Sequence, residues 1–191
     1  MAFPVPAPYR TIANAMLTAS DGAAPLLRRA RPGDLPQMMA LQNALSELQE
    51  SMCALPRPAN WRARLEQQLR SFLADRNAAI FVAEAQGQLI GMLVCTIRDT
   101  SHESAVPAVG HISDVYVLPQ CRRLGIASGL VALALRFCAQ RGISHMRLST
   151  LPNDEPANGF WEHLGFRPAM VSRIAALDDV GNALRKRRRT D

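Results

Sequence analysis

Two common phosphate loops are missing from this sequence: neither G-x-x-x-x-G-K-[ST] nor G-x-G-x-x-G occurs, which argues against an ATPase and against a dinucleotide-binding Rossmann site. Cysteine is scarce. The four cysteines, Cys53, Cys95, Cys121 and Cys138, form no C-x-x-C pair and have no histidine at zinc spacing, so neither a disulfide framework nor a metal is expected. Cys95 and Cys138 fall in apolar stretches and read as core, whereas Cys121 falls in a loop where a thiol is within reach, an incidental small residue being the preferred reading. No apolar run approaches the ~20 residues of a membrane-spanning helix, and the N-terminus lacks the basic-then-apolar pattern of a secretory signal. The expectation is a cytoplasmic protein with no membrane partner. Aromatic residues make up only 5% of the chain, and Lys186 is the single lysine against 21 arginines, a bias that genome composition explains as readily as function.

What is present is ordinary for a soluble globular chain of 191 residues: 48% hydrophobic and 20% charged residues, enough to bury one sizeable core. Residues 1–24, rich in proline and alanine, read as an extended arm, residues 25–180 as the folded domain and residues 181–191 as a basic tail. The five basic residues at 185–189 set against Asp191 account for +4 of the net +6, leaving a nearly neutral domain. Such a tail can bind nucleic acid, an acidic partner or anionic lipid. A solvated terminus is the preferred reading, and nucleic acid is disfavoured as a partner, because no aromatic residue interleaves the charges.

The most informative segment is Arg122-Arg123-Leu124-Gly125-Ile126-Ala127. Before it lies the strand-like Ile112-Ser113-Asp114-Val115-Tyr116-Val117, closed by Pro119. After it, Ile126, Leu130, Leu133, Ala134, Phe137 and Cys138 mark one face of a helix ending at Arg141-Gly142, with the glycine free to take the left-handed conformation. A strand, a glycine loop and a helix start gather unpaired backbone N–H groups beside the positive end of the helix dipole, which is an anion site. Gly125 and Ala127 allow close approach to a pyrophosphate, and Arg122 and Arg123 add charge from the rim. One glycine before a helix equally fits an ordinary strand-to-helix turn.

The rest of the chain alternates strands and helices. Leu26–Arg31 reads as a strand. Asp34 is placed to cap a helix bearing Leu35, Met38, Leu41, Leu45 and Leu48, and Asn60 to cap another bearing Trp61, Leu65, Leu69, Phe72 and Leu73. Residues 79–85 and 89–98 flank Gln86-Gly87-Gln88 as a hairpin, and residues 99–108 read as a loop.

Arg122-x-x-Gly125-x-Ala127, behind the strand Asp114-Val115-Tyr116-Val117, resembles the acetyl-CoA pyrophosphate signature of the GNAT superfamily of N-acetyltransferases. Downstream, Met146–Thr150 followed by Ala157-Asn158-Gly159-Phe160-Trp161-Glu162-His163-Leu164-Gly165-Phe166 resembles that family's fifth strand, closing helix and Gly-Phe exit. The resemblance covers about residues 26–177. It implies a mixed α/β fold in the order β-α-α-β-β-β-α-β-α-β, with a mostly antiparallel sheet splayed between strands 4 and 5 and flanked by helices. It also implies acetyl-CoA as cosubstrate, an amine acceptor and direct attack in a ternary complex. Val115, Tyr116 and Val117 would bind the pantetheine and supply oxyanion donors. Residues Arg122, Arg123, Leu124, Gly125, Ile126 and Ala127 would hold the pyrophosphate. Asn153 resembles the pantetheine-contacting asparagine, with Asn158 as the alternative, and the family also allows a homodimer.

An amine with a solution pKa near ~10.4 must lose a proton before it attacks a thioester. Asp114, where family members often carry a carboxylate, and Glu84 on a neighbouring strand are the candidate bases. Asp114 fits a structural hydrogen bond equally well, and Glu84 also fits a solvent-facing strand residue. Among the histidines at positions 102, 111, 145 and 163, His111 remains worth testing. Trp161 stands where many members carry a tyrosine that protonates the leaving thiolate, and an indole cannot serve as that acid. The acceptor is expected to be set by residues 50–60, 99–108 and a C-terminal strand, and a small-molecule amine is preferred over a protein amine. The competing reading is an acyl-CoA-binding regulatory module whose basic tail contacts nucleic acid. An acyl donor longer than acetyl also remains open.

Overall fold

The computed structural model describes residues 24–50, 57–100 and 105–187; residues 1–23 of the expected arm and 188–191 of the tail lie outside them. The described chain falls into two compact units, one comprising residues 24–50 and 57–149, the other residues 150–187.

In the first unit, β1 (Leu26–Arg29) leads through a 3-10 turn at Pro32–Asp34 into α1 (Leu35–Glu50) and α2 (Trp61–Ala74). The strands β2 (Ala78–Ala85), β3 (Gln88–Asp99) and β4 (Ala108–Val117) follow, then α3 (Ile126–Ala139) and β5 (Met146–Leu148). The sheet runs β1-β2-β3-β4-β5, antiparallel throughout except for the parallel β4–β5 pair. A two-residue turn at Gln86-Gly87, both with positive φ, closes the β2–β3 hairpin with a backbone twist that matches the strands.

β2 is buried from Ala78 to Ala83 and β3 from Leu89 to Thr96, with no polar alternation. That continuous burial follows from helices on both faces. α1 packs on β3 and β4, α2 packs on β2 and on α1, and α3 crosses β1 to β4. α1 contributes Met38, Leu41 and Leu45 to the core, and α3 contributes Ile126, Leu130, Ala134, Phe137 and Cys138. Burying a side chain such as Leu41 or Leu130 contributes about 2 kcal/mol each. α3 sits so close to β4 that a Cβ at Gly110 would lie 2.4 Å from Cys138 Sγ. Beyond α3, Gly142 has φ +71, the left-handed exit expected from the sequence. Arg141 donates to the Phe137 carbonyl at 3.2 Å and lies over the Phe137 ring.

Several local expectations change. Asn60 stands at the N-cap of α2 but its side chain makes no capping bond. The Asp34 carboxylate is turned to the Arg31 N–H and to Arg28, whose guanidinium bonds it with two nitrogens at 2.7 and 2.8 Å. Asp99 and Ala108 are not loop residues but pair with each other at the ends of β3 and β4; residues 101–104 between them lie outside the described residues. Cys121 is buried rather than within reach, and burial pushes its thiol up from the usual value. The Cys95 and Cys138 thiols meet in the core at 3.8 Å.

The second unit contains α4 (Glu155–His163) and α5 (Leu177–Arg187). Asp154 caps α4 by accepting from the Ala157 N–H. The expected last strand is absent among the described residues: 166–176 form no regular element, and α5 runs across the boundary placed at 180. Leu177, Val180 and Leu184 share one side of α5, and Asp178 and Asp179 in its first turn suit the helix dipole.

Arg28 bridges two carboxylates, Asp34 and Glu84, both at 2.7 Å, and all three side chains are largely buried. Arg28→Met leaves both acids without their cation. The expected loss is about 2–3 kcal/mol, below the ~3–5 of a fully buried pair, read as a lower urea midpoint at pH 7. The Arg28 hydrogen bond holds the Asp34 carboxyl below its usual range. Its stabilisation is therefore complete above the ordinary aspartate value and is lost as pH falls from there through the lowered, folded-state value. The urea midpoints of wild type and variant should draw together as pH falls from the ordinary aspartate value toward the lowered one. Parallel pH curves for the two proteins would exclude this account.

Candidate active site

The pairing of β4 with β5 is short. It covers Gly110↔Met146, His111↔Arg147 and Ile112↔Leu148 and then stops. Beyond Ile112 the register with β5 ends, so the sheet opens at the position implied by the family resemblance. A β-bulge marks the opening: Val94 pairs with Asp114 and Cys95 with Ile112, leaving Ser113 as the extra residue on β4. A bulge increases local twist and re-aims the side chains that follow it.

Below this edge the chain turns through a 3-10 segment at Pro119–Cys121 into the loop. Arg123 has φ +63 and Gly125 has φ +76 at the N-cap of α3. Gly125 accepts the first helical bond, from Gly129 N–H at 3.0 Å, and carries no side chain to accept from the N–H groups of Ile126, Ala127 and Ser128. Those donors face outward at the positive end of a 14-residue helix. A Cβ at Gly125 would meet nothing within 4 Å, so the glycine is required by its backbone angle and not by crowding. Leu124 is exposed, while Ile126 is buried and anchors the helix start. Arg122 is less free than a rim residue: its Nε donates to the Val117 carbonyl at 3.1 Å and its guanidinium lies 5.8 Å from the Tyr116 ring centre. It ties the end of β4 to the loop while keeping its charge exposed.

Asp114 follows the bulge, half-buried, and accepts a 2.7 Å hydrogen bond from Gln42 Nε2 of α1. Gln42 is 7% exposed, and its Oε1 is buried without a protein partner among the described residues. His111, on the same strand before the bulge, has a buried Nδ1 that also lacks a protein partner. Burial, then the charges of Arg98 and Arg147, lower its pKa, so the imidazole is neutral at pH 7.

Glu84 does not join this group. Its carboxylate is held by Arg28, and its strand β2 is separated from β4 by β3. In the second unit Trp161 is buried against the edges of Phe160 and Phe166, with ring centres at 4.9 and 5.3 Å. Asn153 is exposed in the turn before α4. Asn158 is committed locally: its Nδ2 donates to the Leu151 carbonyl at 3.0 Å, and its Oδ1 accepts from the Thr150 hydroxyl. Sequence reasoning missed Gln42, a polar residue on an apolar helix stripe, and the bulge at Ser113. Glutamine at a position whose helical neighbours Met38, Leu41 and Leu45 are all apolar was the available signal.

Among the described residues no helix is long and apolar enough to cross a membrane. The model of the acetyltransferase (GNAT) family matches residues 41–166. An N-alpha-acetyltransferase of Sulfurisphaera tokodaii is 29% identical over 106 residues, a stretch covering 53% of this chain and 64% of that protein. The chain thus spans less than two thirds of that relative's length. Among solved structures, the aminoglycoside 6'-N-acetyltransferase AAC(6')-IG from Acinetobacter haemolyticus superposes with a TM-score of 0.63 at 21% identity, over 79% of this chain and 97% of its own. A predicted acetyltransferase from Clostridium acetobutylicum with acetyl-CoA gives 0.66 at 18% identity, over 81% and 97%. At such identities the structural likeness speaks for the fold. The family match runs from the middle of α1, through the opened β4 edge and the uncapped start of α3, to the turn after α4, and on it the chain belongs to the GNAT acetyltransferase family.

Proposed function

We propose that the protein is an acetyl-CoA-dependent N-acetyltransferase acting on a small-molecule primary amine. The observation that carries this reading is a β4 edge whose register with β5 ends at Ile112, together with the uncapped start of α3 at Gly125. Such an edge accepts an extended amide-bearing chain as an added strand, and such a helix start accepts a pyrophosphate. Pantetheine along Val115, Tyr116 and Val117, with phosphates at Arg122–Ala127, satisfies both.

In this reading Asp114 is the base. As the amine nitrogen bonds to the acetyl carbon, its N–H bond breaks, the proton passes to Asp114 and the carbonyl oxygen gains charge that β4 main-chain N–H groups stabilise. Collapse of the tetrahedral intermediate breaks the C–S bond. The thiolate departs as the anion or takes a proton from water. No acyl-enzyme forms. A small acceptor is favoured by the nearly neutral net charge of the domain, which gives basic protein tails little to dock on.

The test is thiol release from acetyl-CoA against aminoglycosides, polyamines, amino acids and a lysine-containing peptide, with calorimetric acetyl-CoA binding on the same sample. Release with one class of small amine is the expected result. Release with the peptide alone would move the acceptor to a protein amine. Binding without release from any amine would favour an acyl-CoA-binding regulatory module, and absence of binding would overturn the loop assignment.

A further inference from the structure

We infer that Gln42 is a positioning residue, whose side-chain amide holds one oxygen of the Asp114 carboxylate and so directs the other at the acceptor amine. The inference rests on the base role proposed above for Asp114. Every other buried position of α1, namely Leu35, Met38, Leu41 and Leu45, is apolar. Gln42 is the exception, and it lies among them at 7% exposure. Burying an amide with half of its hydrogen-bonding capacity unmet costs about 1–3 kcal/mol, a penalty that a leucine of similar size would avoid. The amide's one described bond runs across 72 residues of sequence to Asp114 Oδ1, at 2.7 Å.

The bond also sits where the strand is least constrained. Asp114 directly follows the bulged Ser113 and precedes the part of β4 that has lost β5. A carboxylate at such a point keeps β3 on one side only, so its direction needs a second anchor, which α1 supplies through Gln42. With Oδ1 occupied, Oδ2 takes the proton. Gln42 Oε1, buried without a donor among the described residues, adds an acceptor to the same amide for a water or an N–H that enters beside the carboxylate. Two acceptors side by side suit a nitrogen bearing several hydrogens, which is a primary amine.

Gln42→Leu and Gln42→Met remove the bond while keeping side-chain volume and apolar packing. With the best amine of the panel, or with slow acetyl-CoA hydrolysis where water is the sole acceptor, each should lower kcat by about 10- to 100-fold, the range that misplacement of a reacting group costs. The KM for acetyl-CoA should stay within about twofold, because the cofactor is held by main chain elsewhere. Melting temperatures should equal or exceed that of the wild type. The double variant Gln42→Leu with Asp114→Asn should be no slower than Asp114→Asn alone, since a positioning residue has nothing to position once the base is gone. Full kcat in both Gln42 variants, with Asp114→Asn impaired, overturns the inference and leaves the base role standing. Full kcat in Asp114→Asn overturns both. Losses that add in the double variant overturn the positioning role, as does failure of both Gln42 variants to fold.

Discussion

Gly125→Val should weaken acetyl-CoA binding by roughly a hundredfold or more while costing the fold only about 1–2 kcal/mol. The two numbers have different origins. At φ +76 a β-branched residue is a steric outlier, and an L side chain in this region costs about 1–2 kcal/mol. The loop can relieve that strain by rotating out of the left-handed region, since a side chain at 125 would meet nothing within 4 Å that holds it in place. Rotation swings the N–H groups of Ile126 and Ala127 away from the phosphates. Two charge-assisted hydrogen bonds of ~1.5–3 kcal/mol each would be lost or weakened, which gives the hundredfold figure. Gly142 provides the control, because it has φ +71 at the other end of the same helix and no ligand role. Gly142→Val should lower stability by a similar amount and leave acetyl-CoA affinity unchanged. Calorimetric titration of both variants reads the difference. Normal binding by Gly125→Val would remove the pyrophosphate from this loop.

The sequence exposed the loop and helix clearly because both signals are local. The apolar face from Ile126 to Cys138 repeats at helical spacing, and Leu130, Ala134 and Phe137 are buried as that spacing requires. Gly125 stands at the junction where a left-handed residue is needed. The β2–β3 hairpin was legible for the same reason, from two apolar runs around Gln86-Gly87. Partnerships across long sequence distances were not. Glu84 reads as a candidate base until Arg28, 56 residues earlier, is found holding its carboxylate. Asp114 reads as a lone strand carboxylate until Gln42 is found donating to it. The bulge at Ser113 has no glycine and no change of pattern to announce it.

At the C-terminal end, the family resemblance suggested a strand that local chemistry does not support. Met170, Val171 and Ile174 do not alternate with polar residues, and all three are exposed. Farther on, Leu177, Val180 and Leu184 repeat at helical spacing between acidic and basic ends, which is a helix signal. Periodicity over eleven residues therefore outweighs the family order here.

Asp114→Asn is the substitution expected to affect turnover most, with a fall in kcat of about 10²–10⁴, the usual contribution of a positioned proton acceptor. Asparagine keeps the shape and still presents an oxygen to Gln42 Nε2, so the 2.7 Å contact and the packing of α1 on β4 should survive. What it lacks is a basic oxygen for the amine's proton. Affinity for acetyl-CoA should be unchanged, because the proposed cofactor contacts are main-chain groups of β4 and the α3 start. His111 is the rival to exclude, being neutral at pH 7 with an Nδ1 that has no partner among the described residues, on the same strand. If His111 were the base, Asp114→Asn would retain turnover and His111→Gln would lose it. Turnover would also fall as acid protonates the imidazole, below its usual pH range because burial lowers its pKa. Steady-state rates of the two variants, measured from pH 5.5 to 9 with the same amine, separate the cases. Turnover of Asp114→Asn equal to wild type at every pH would transfer the base role to another group.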